Sequence, residues 1–174
     1  MMNEHINILD HGAELTLSHD ALLEYHGCAA LAGAAIGFRA MACAAAALSA
    51  TGTWDRRDLT VVSWHGGPGV RDAIEFVTRT ITRGKFELRK VDDAPNSATL
   101  TTFRFEVSDG LQTAKITLRE NAVAPPFFQL ARMSNRSAKQ EADLVRLKAE
   151  VADSVMRQPV NQLFELLLRE AGHA

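Results

Sequence analysis

The chain has few of the residues that staple or label a fold. Cysteine occurs at two of 174 positions, Cys28 and Cys43. A disulfide framework is therefore excluded, and with no Cys-x-x-Cys pair a zinc ribbon is excluded as well. Neither Gly-x-Ser-x-Gly nor His-Glu-x-x-His occurs, so those hydrolase routes have no support. The glycine-rich stretch at 66–69 is not followed by Gly-Lys-Ser/Thr and lacks the Rossmann spacing, which removes a Walker A loop and a dinucleotide fingerprint. An excess of charge of one sign is also missing. The formal net charge is -2, too small to draw the chain to nucleic acid or an anionic membrane. Only Arg79, Arg83, Lys85, Arg89 and Lys90 gather, across a helix end, a turn and a strand, where they read as a solvated surface. No basic segment precedes an apolar run near residue 1, so a secretory signal is not expected. Internal repeats are absent, and the alanine tract is the only low-complexity stretch.

What is there is an ordinary globular mixture. Apolar residues make up 47% and charged residues 23%, enough for a core without staples. The length predicts a single domain over residues 1–174. Residues 29–50 are long and mostly apolar, yet Arg39 lies in the middle and alanine and glycine dominate. A buried helix of a soluble domain is expected there rather than a membrane span. If Cys28 and Cys43 share that helix, fifteen residues separate them by roughly 22 Å, too far for a disulfide. Reduced cysteines suggest a cytoplasmic protein.

Along the chain, residues 1–17 alternate weakly and read as a short arm or strand. Ser18 is an N-cap for a short helix that stops at Gly27. A longer helix runs to about Ser49, where Thr51-Gly52-Thr53 ends it. Gly33 and Gly37 share one of its faces and invite a close backbone. Leu59–Trp64 reads as a strand, His65–Gly69 as a loop, and Val70–Thr82 as a helix closed by Gly84. Phe86–Val91, Thr99–Val107 and Gln112–Arg119 read as strands, the last two joined as a hairpin at Ser108-Asp109-Gly110. Ala124-Pro125-Pro126 breaks the pattern, with Phe127 and Phe128 anchoring the crossing. Ala138–Met156 is an amphipathic helix, and Pro159 opens a final leucine-rich helix. The expected fold class is α+β, a mostly antiparallel sheet packed against the alanine-rich helix and further helices. Its core spans about 18–120 and its C-terminal helices about 138–172.

Two His-Gly junctions stand out. His26-Gly27-Cys28 offers imidazole and thiol at the start of a helix. The pair reads as two ligands for a metal such as zinc, as a thiolate beside a base, or as a capping histidine with a small buried cysteine. At His65-Gly66-Gly67-Pro68-Gly69 a strand delivers a histidine to a loop that opens a helix. Free amides at the helix start suit an anion, and Gly66 and Gly67 let a ligand approach the backbone. A plain strand-to-helix turn explains the same residues. Asp72 either complements the helix dipole or orients a histidine. Arg39 must find a carboxylate or an anionic ligand. His5, His11, His19 and His173 are peripheral.

These residues, in this order, resemble the FmdE family of proteins associated with formylmethanofuran dehydrogenase. Tyr25-His26-Gly27-Cys28, then Gly33, then Gly37-Phe38-Arg39-Ala40-Met41, match its opening motif and helix. Gly67-Pro68-Gly69-Val70-Arg71-Asp72-Ala73-Ile74 matches its second loop and helix. Thr82-Arg83-Gly84-Lys85-Phe86 is similar to its glycine-lysine turn, and Gln158-Pro159-Val160-Asn161-Gln162-Leu163-Phe164 to its ending. The resemblance runs from about 18 to 166. It departs at the ligand positions. Cys28 follows Gly27 directly, Gly67 stands where the second loop carries cysteine, and the cysteine-rich zinc-finger extension is missing.

The resemblance implies an α+β core, a homodimer, and a His/Cys site for zinc or another transition metal, in a family linked to a molybdenum or tungsten enzyme of one-carbon metabolism. On that reading His26, Cys28 and His65 are metal ligands, Asp72 supports them, and Arg39 with Gly66 and Gly67 holds an anion. The alternatives are a non-catalytic module for a small anionic ligand or cofactor, and a structural accessory protein of that enzyme.

Overall fold

The computed structural model describes residues 5–49, 54–90 and 102–170. The expected helix stop at Thr51-Gly52-Thr53, Val91, the strand start at Thr99–Thr101 and His173 lie outside the described residues. The chain opens with an antiparallel hairpin, β1 (His5–Asp10) and β2 (Ala13–Ser18). Ser18 then caps α1 (His19–His26), its side chain accepting from the Ala21 N–H at 3.2 Å. Gly27 ends α1 at φ 79, which only glycine adopts without strain. Its N–H donates to the Leu23 carbonyl at 2.8 Å.

The alanine-rich segment forms α2 (Leu31–Leu48). Its length and apolar composition would suffice to cross a membrane, but most of its residues are buried in protein. Small residues let neighbours close on it from several sides. It packs most extensively on α3 (Pro68–Thr78) and also contacts α5 (Ala138–Arg157). The Gly33–Gly37 face is the one that α3 approaches. A Cβ on Gly37 would lie 2.8 Å from the Ala73 Cβ, and one on Gly69 would lie 2.4 Å from the Ala30 carbonyl oxygen. Glycine at these positions is a packing requirement.

The main sheet has the order β4 (Phe86–Leu88), β3 (Thr60–Ser63), β5 (Arg104–Ser108), β6 (Gln112–Leu118) and β7 (Phe164–Glu170). It is mixed: β3 and β4 are parallel, and the other neighbours are antiparallel. The parallel pair follows from α3, which returns the chain so that β4 lies beside β3 in the same direction. Alternation decides the faces. Val61, Phe105, Val107, Ala114, Ile116 and Leu118 are buried on the side where α2 packs. On the other face Lys115 pairs with Glu106 across the β5–β6 ladder at 2.6 Å.

Four details differ from the sequence reading. First, Cys28 and Cys43 do not share a helix, because α2 begins only at Leu31. Both are free thiols, as expected. Second, α3 stops at Thr78 rather than Thr82, with Arg79 in the left-handed region at φ 54. The Glu75 carboxylate holds the following turn by accepting from the N–H groups of Ile81 and Thr82. Third, Pro125 and Pro126 do not merely interrupt. They open a short helix, α4 (Pro125–Arg132), because proline suits a first turn that needs no donor. Phe127 and Phe128 are buried there, as their anchoring role requires. Fourth, the expected final helix exists only as α6 (Val160–Leu163), after which the chain becomes β7. Leucine favours a helix locally, but β6 offers a full ladder of partners, and this pairing overrides the local preference.

Candidate functional site

The two His-Gly junctions meet where α2 and α3 begin. His26 closes α1, and its Nδ1 lies 2.6 Å from Oδ2 of Asp72 on α3. Its Nε2 lies 3.2 Å from the Ala30 N–H. A backbone N–H can only donate, so Nε2 is the acceptor and the ring proton sits on Nδ1, donated to Asp72. One imidazole thus ties the ends of α1, α2 and α3 together, with its side chain 4% exposed. Asp72 does orient a histidine, although it falls in the second turn of α3 because the helix starts at Pro68.

His65 stands at the carboxyl end of β3. The Ser63 hydroxyl fixes its backbone, accepting from the His65 N–H at 3.1 Å and donating to its carbonyl at 2.9 Å. The ring stacks on Phe103, centroids 4.2 Å apart at 17°. Its Nδ1 lies 3.0 Å from the Thr102 hydroxyl. Burial pushes its pKa down to about 4, so the imidazole is neutral at pH 7. Its Nε2 has no hydrogen-bond partner among the described residues. A Cβ on Gly67 would stand 2.6 Å from that atom, so Gly67 leaves the ring its position.

Beside His65 lies a cavity of about 130 Å³. Ala30, Ala32 and Gly33 from the start of α2 line one side, and Gly67 to Val70 from the start of α3 line another. Phe103, Phe127 and Ala131 supply further apolar wall, and Lys148 of α5 stands at its edge. The Lys148 ammonium donates to the Ala29 carbonyl at 3.0 Å. The lining is almost wholly apolar, and the starts of α2 and α3 and Lys148 border it.

The remaining candidates sit elsewhere. Cys28 is exposed in the bend before α2. Gly66 is not part of the cavity wall; a Cβ there would lie 3.0 Å from Leu88. Arg39 is buried within α2, also away from the cavity wall, and its guanidinium donates to the Gln158 carbonyl at the end of α5. Transition metals need three or four side-chain donors. Among the described residues no three His, Cys, Asp or Glu side chains are grouped to share an ion, and both ring nitrogens of His26 are engaged within the protein. As placed, these residues do not fit a bound transition metal.

Sequence reading missed Lys148, Phe103 and Ala131 as site residues. Lys148 carried a signal: it lies four residues after Leu144 and three before Val151, both buried, so it falls on the inward face of α5. Phe103 and Ala131 carried none beyond being apolar.

No curated protein matches the chain. The family model described as "FmdE, Molybdenum formylmethanofuran dehydrogenase operon" matches residues 25–165. That span includes both His-Gly junctions, the whole α2–α3 crossing, α5 and the first residues of β7. The chain therefore belongs to the FmdE family.

Proposed function

We propose that this FmdE-family chain is a non-catalytic binding module that holds a small anion with an apolar body in the cavity beside His65. The observation that carries this reading is Nε2 of His65: an imidazole atom without a protein partner among the described residues, on a ring that is largely buried and fixed on both sides by Phe103 and Thr102. His65 lines the cavity, so a bound molecule can supply the partner that this atom lacks. The cavity volume suits a small organic molecule, since an engineered apolar cavity of about 150 Å³ takes benzene. The helix starts and Lys148 beside the cavity favour a negative group, and the Val70, Phe103 and Phe127 lining favours an apolar body. The family's tie to a formylmethanofuran dehydrogenase operon makes one-carbon metabolism the natural setting.

The test uses a graded series of probes: formate, acetate, propionate, butyrate, pentanoate and hexanoate, with the matching alcohols. A bound carboxylate raises the melting temperature by mass action. The shift should grow with chain length until the cavity is full, and should fall in Lys148→Ala and in His65→Phe. Equal shifts for acids and alcohols, or no shift for any of them, would overturn the reading.

A further inference from the structure

The face of the main sheet turned away from α2 carries a row of side chains that the cavity does not use. Alternation places Val62, Trp64, Arg104 and Glu106 on that face, opposite the buried Val61, Ser63, Phe105 and Val107. Two backbone hydrogen bonds fix the row. The Trp64 N–H donates to the Arg104 carbonyl at 3.1 Å, and the Arg89 N–H donates to the Ser63 carbonyl at 2.9 Å. Arg89, Trp64 and Arg104 therefore stand side by side across the ends of β4, β3 and β5. Both guanidinium groups lie over the Trp64 ring, at 5.4 Å and 4.9 Å from its centroid.

The carboxylates of this face already have cations. Glu87 is held by Arg89 at 2.7 Å, Glu106 by Lys115 at 2.6 Å and Glu165 by Arg119 at 3.2 Å. Arg104 is exposed and has no carboxylate partner among the described residues, and neither has Lys90 beside Arg89. Cationic charge is thus left over at the Trp64 corner of the sheet.

We propose that this corner docks an acidic segment of a partner protein, with carboxylates on Arg104 and Arg89 and an apolar side chain against Trp64. Tryptophan and arginine are the residues that most often anchor protein interfaces. A guanidinium lying over a ring still presents its planar fork of donors to a carboxylate. The ring also holds both arginine side chains in place, which lowers the entropy lost on docking. Nucleic acid fits the surface less well, because Glu87, Glu106 and Glu165 lie on the same face and would meet its phosphates. An open face does not enclose a small anion either, so the ligand must bring its own apolar contact.

A fluorescently labelled Asp-Glu-Leu-Asp-Glu peptide titrated with the full chain at low salt tests this. Anisotropy should rise saturably, and the Trp64 indole N–H resonance should shift with the same midpoint. Arg104→Glu should weaken binding about tenfold or more, and Arg104→Gln should fall between it and wild type. Arg146→Glu, on the exposed face of α5, should leave binding unchanged. No binding at about 1 mM chain, or equal binding by Arg104→Glu and wild type, would overturn the proposal. So would tighter binding of a single-stranded RNA oligonucleotide than of the peptide. Asp92 and Asp93 follow Lys90 in the sequence. Peptide binding gained only by the Asp92→Asn/Asp93→Asn chain would make this chain's own acids the occupant, and would overturn it as well. If Arg104→Glu does not fold, Arg104→Gln with the Trp64 shift decides: an unchanged midpoint refutes the site.

Discussion

Gly69 packs so tightly on Ala30 that a Cβ added to it would lie 2.4 Å from the Ala30 carbonyl oxygen. Backbone presses on backbone at this point, so neither side can yield by a rotamer change. The contact sets the separation of the two helix starts that border the cavity.

The three glycines of this crossing predict a graded outcome. Gly69→Ala meets backbone at 2.4 Å and should lose about 3 kcal/mol or more of stability, the upper range of overpacking. Gly37→Ala meets a methyl at 2.8 Å and should lose less. At Gly33 the nearest atom is 3.4 Å away. There the gain in helix propensity of about 1 kcal/mol offsets most of the crowding. Urea denaturation of the three variants checks the order, and an inverted order would contradict the close crossing.

His26 is a structural tie, so its loss should act on stability without metal. His26→Ala leaves the Ala30 N–H and the Asp72 carboxylate without a partner, at a cost of about 1–3 kcal/mol. The melting temperature of wild type should not change on dialysis against a chelator. A chelator-dependent fall that disappears in His26→Ala would show instead that this histidine holds an ion.

His65 makes a pH prediction whose sign is fixed. Burial lowers its folded pKa to about 4, below the unfolded value of 6.5. The unfolded chain then binds the extra proton first, so stability is complete above about pH 6.5 and falls as pH drops toward 4. Between pH 7 and pH 5 this group alone should remove ~2 kcal/mol. His65→Phe keeps an aromatic ring without the titration. Its urea stability should depend on pH less steeply by about that amount.

The two thiols should separate cleanly in a labelling experiment. Cys28 is exposed, whereas Cys43 is buried and its thiol is pushed up to about 11, chiefly by burial. A disulfide reagent at pH 8 should titrate one thiol quickly in native protein and both in urea. Fast labelling of both in the native state would contradict the packing around α2.

Much of this arrangement is legible in the order of residues because it follows from local rules. Ser18 and Gly27 bracket α1 by capping chemistry, and Gly33 and Gly37 announce a close neighbour by their spacing. The strand-loop-helix at His65 is marked by β-branched residues followed by glycines. The rest depends on contacts that spacing does not encode. The partners His26 and Asp72 lie 46 residues apart, so only the crossing of α1 with α3 brings them together. Leu163 to Leu168 favours a helix locally, and pairing with β6 overrides that preference from Phe164 onward. Arg39 suggested an anion site because a charge on an apolar helix needs a partner, and the partner it finds includes the Gln158 carbonyl. Lys148 reaches the cavity from α5, far along the chain from the junctions it serves.

The central claim is that the neutral ring of His65 meets an anionic ligand in the apolar cavity. Imidazole NMR of histidine-labelled protein, titrated with pentanoate and then with pentanol at pH 7, tests it most directly. Pentanoate should shift the His65 resonances saturably and raise the His65 pKa, and the alcohol should have a far weaker effect. His65 resonances that stay unmoved by pentanoate at saturating concentration, while surface histidines shift, would contradict it.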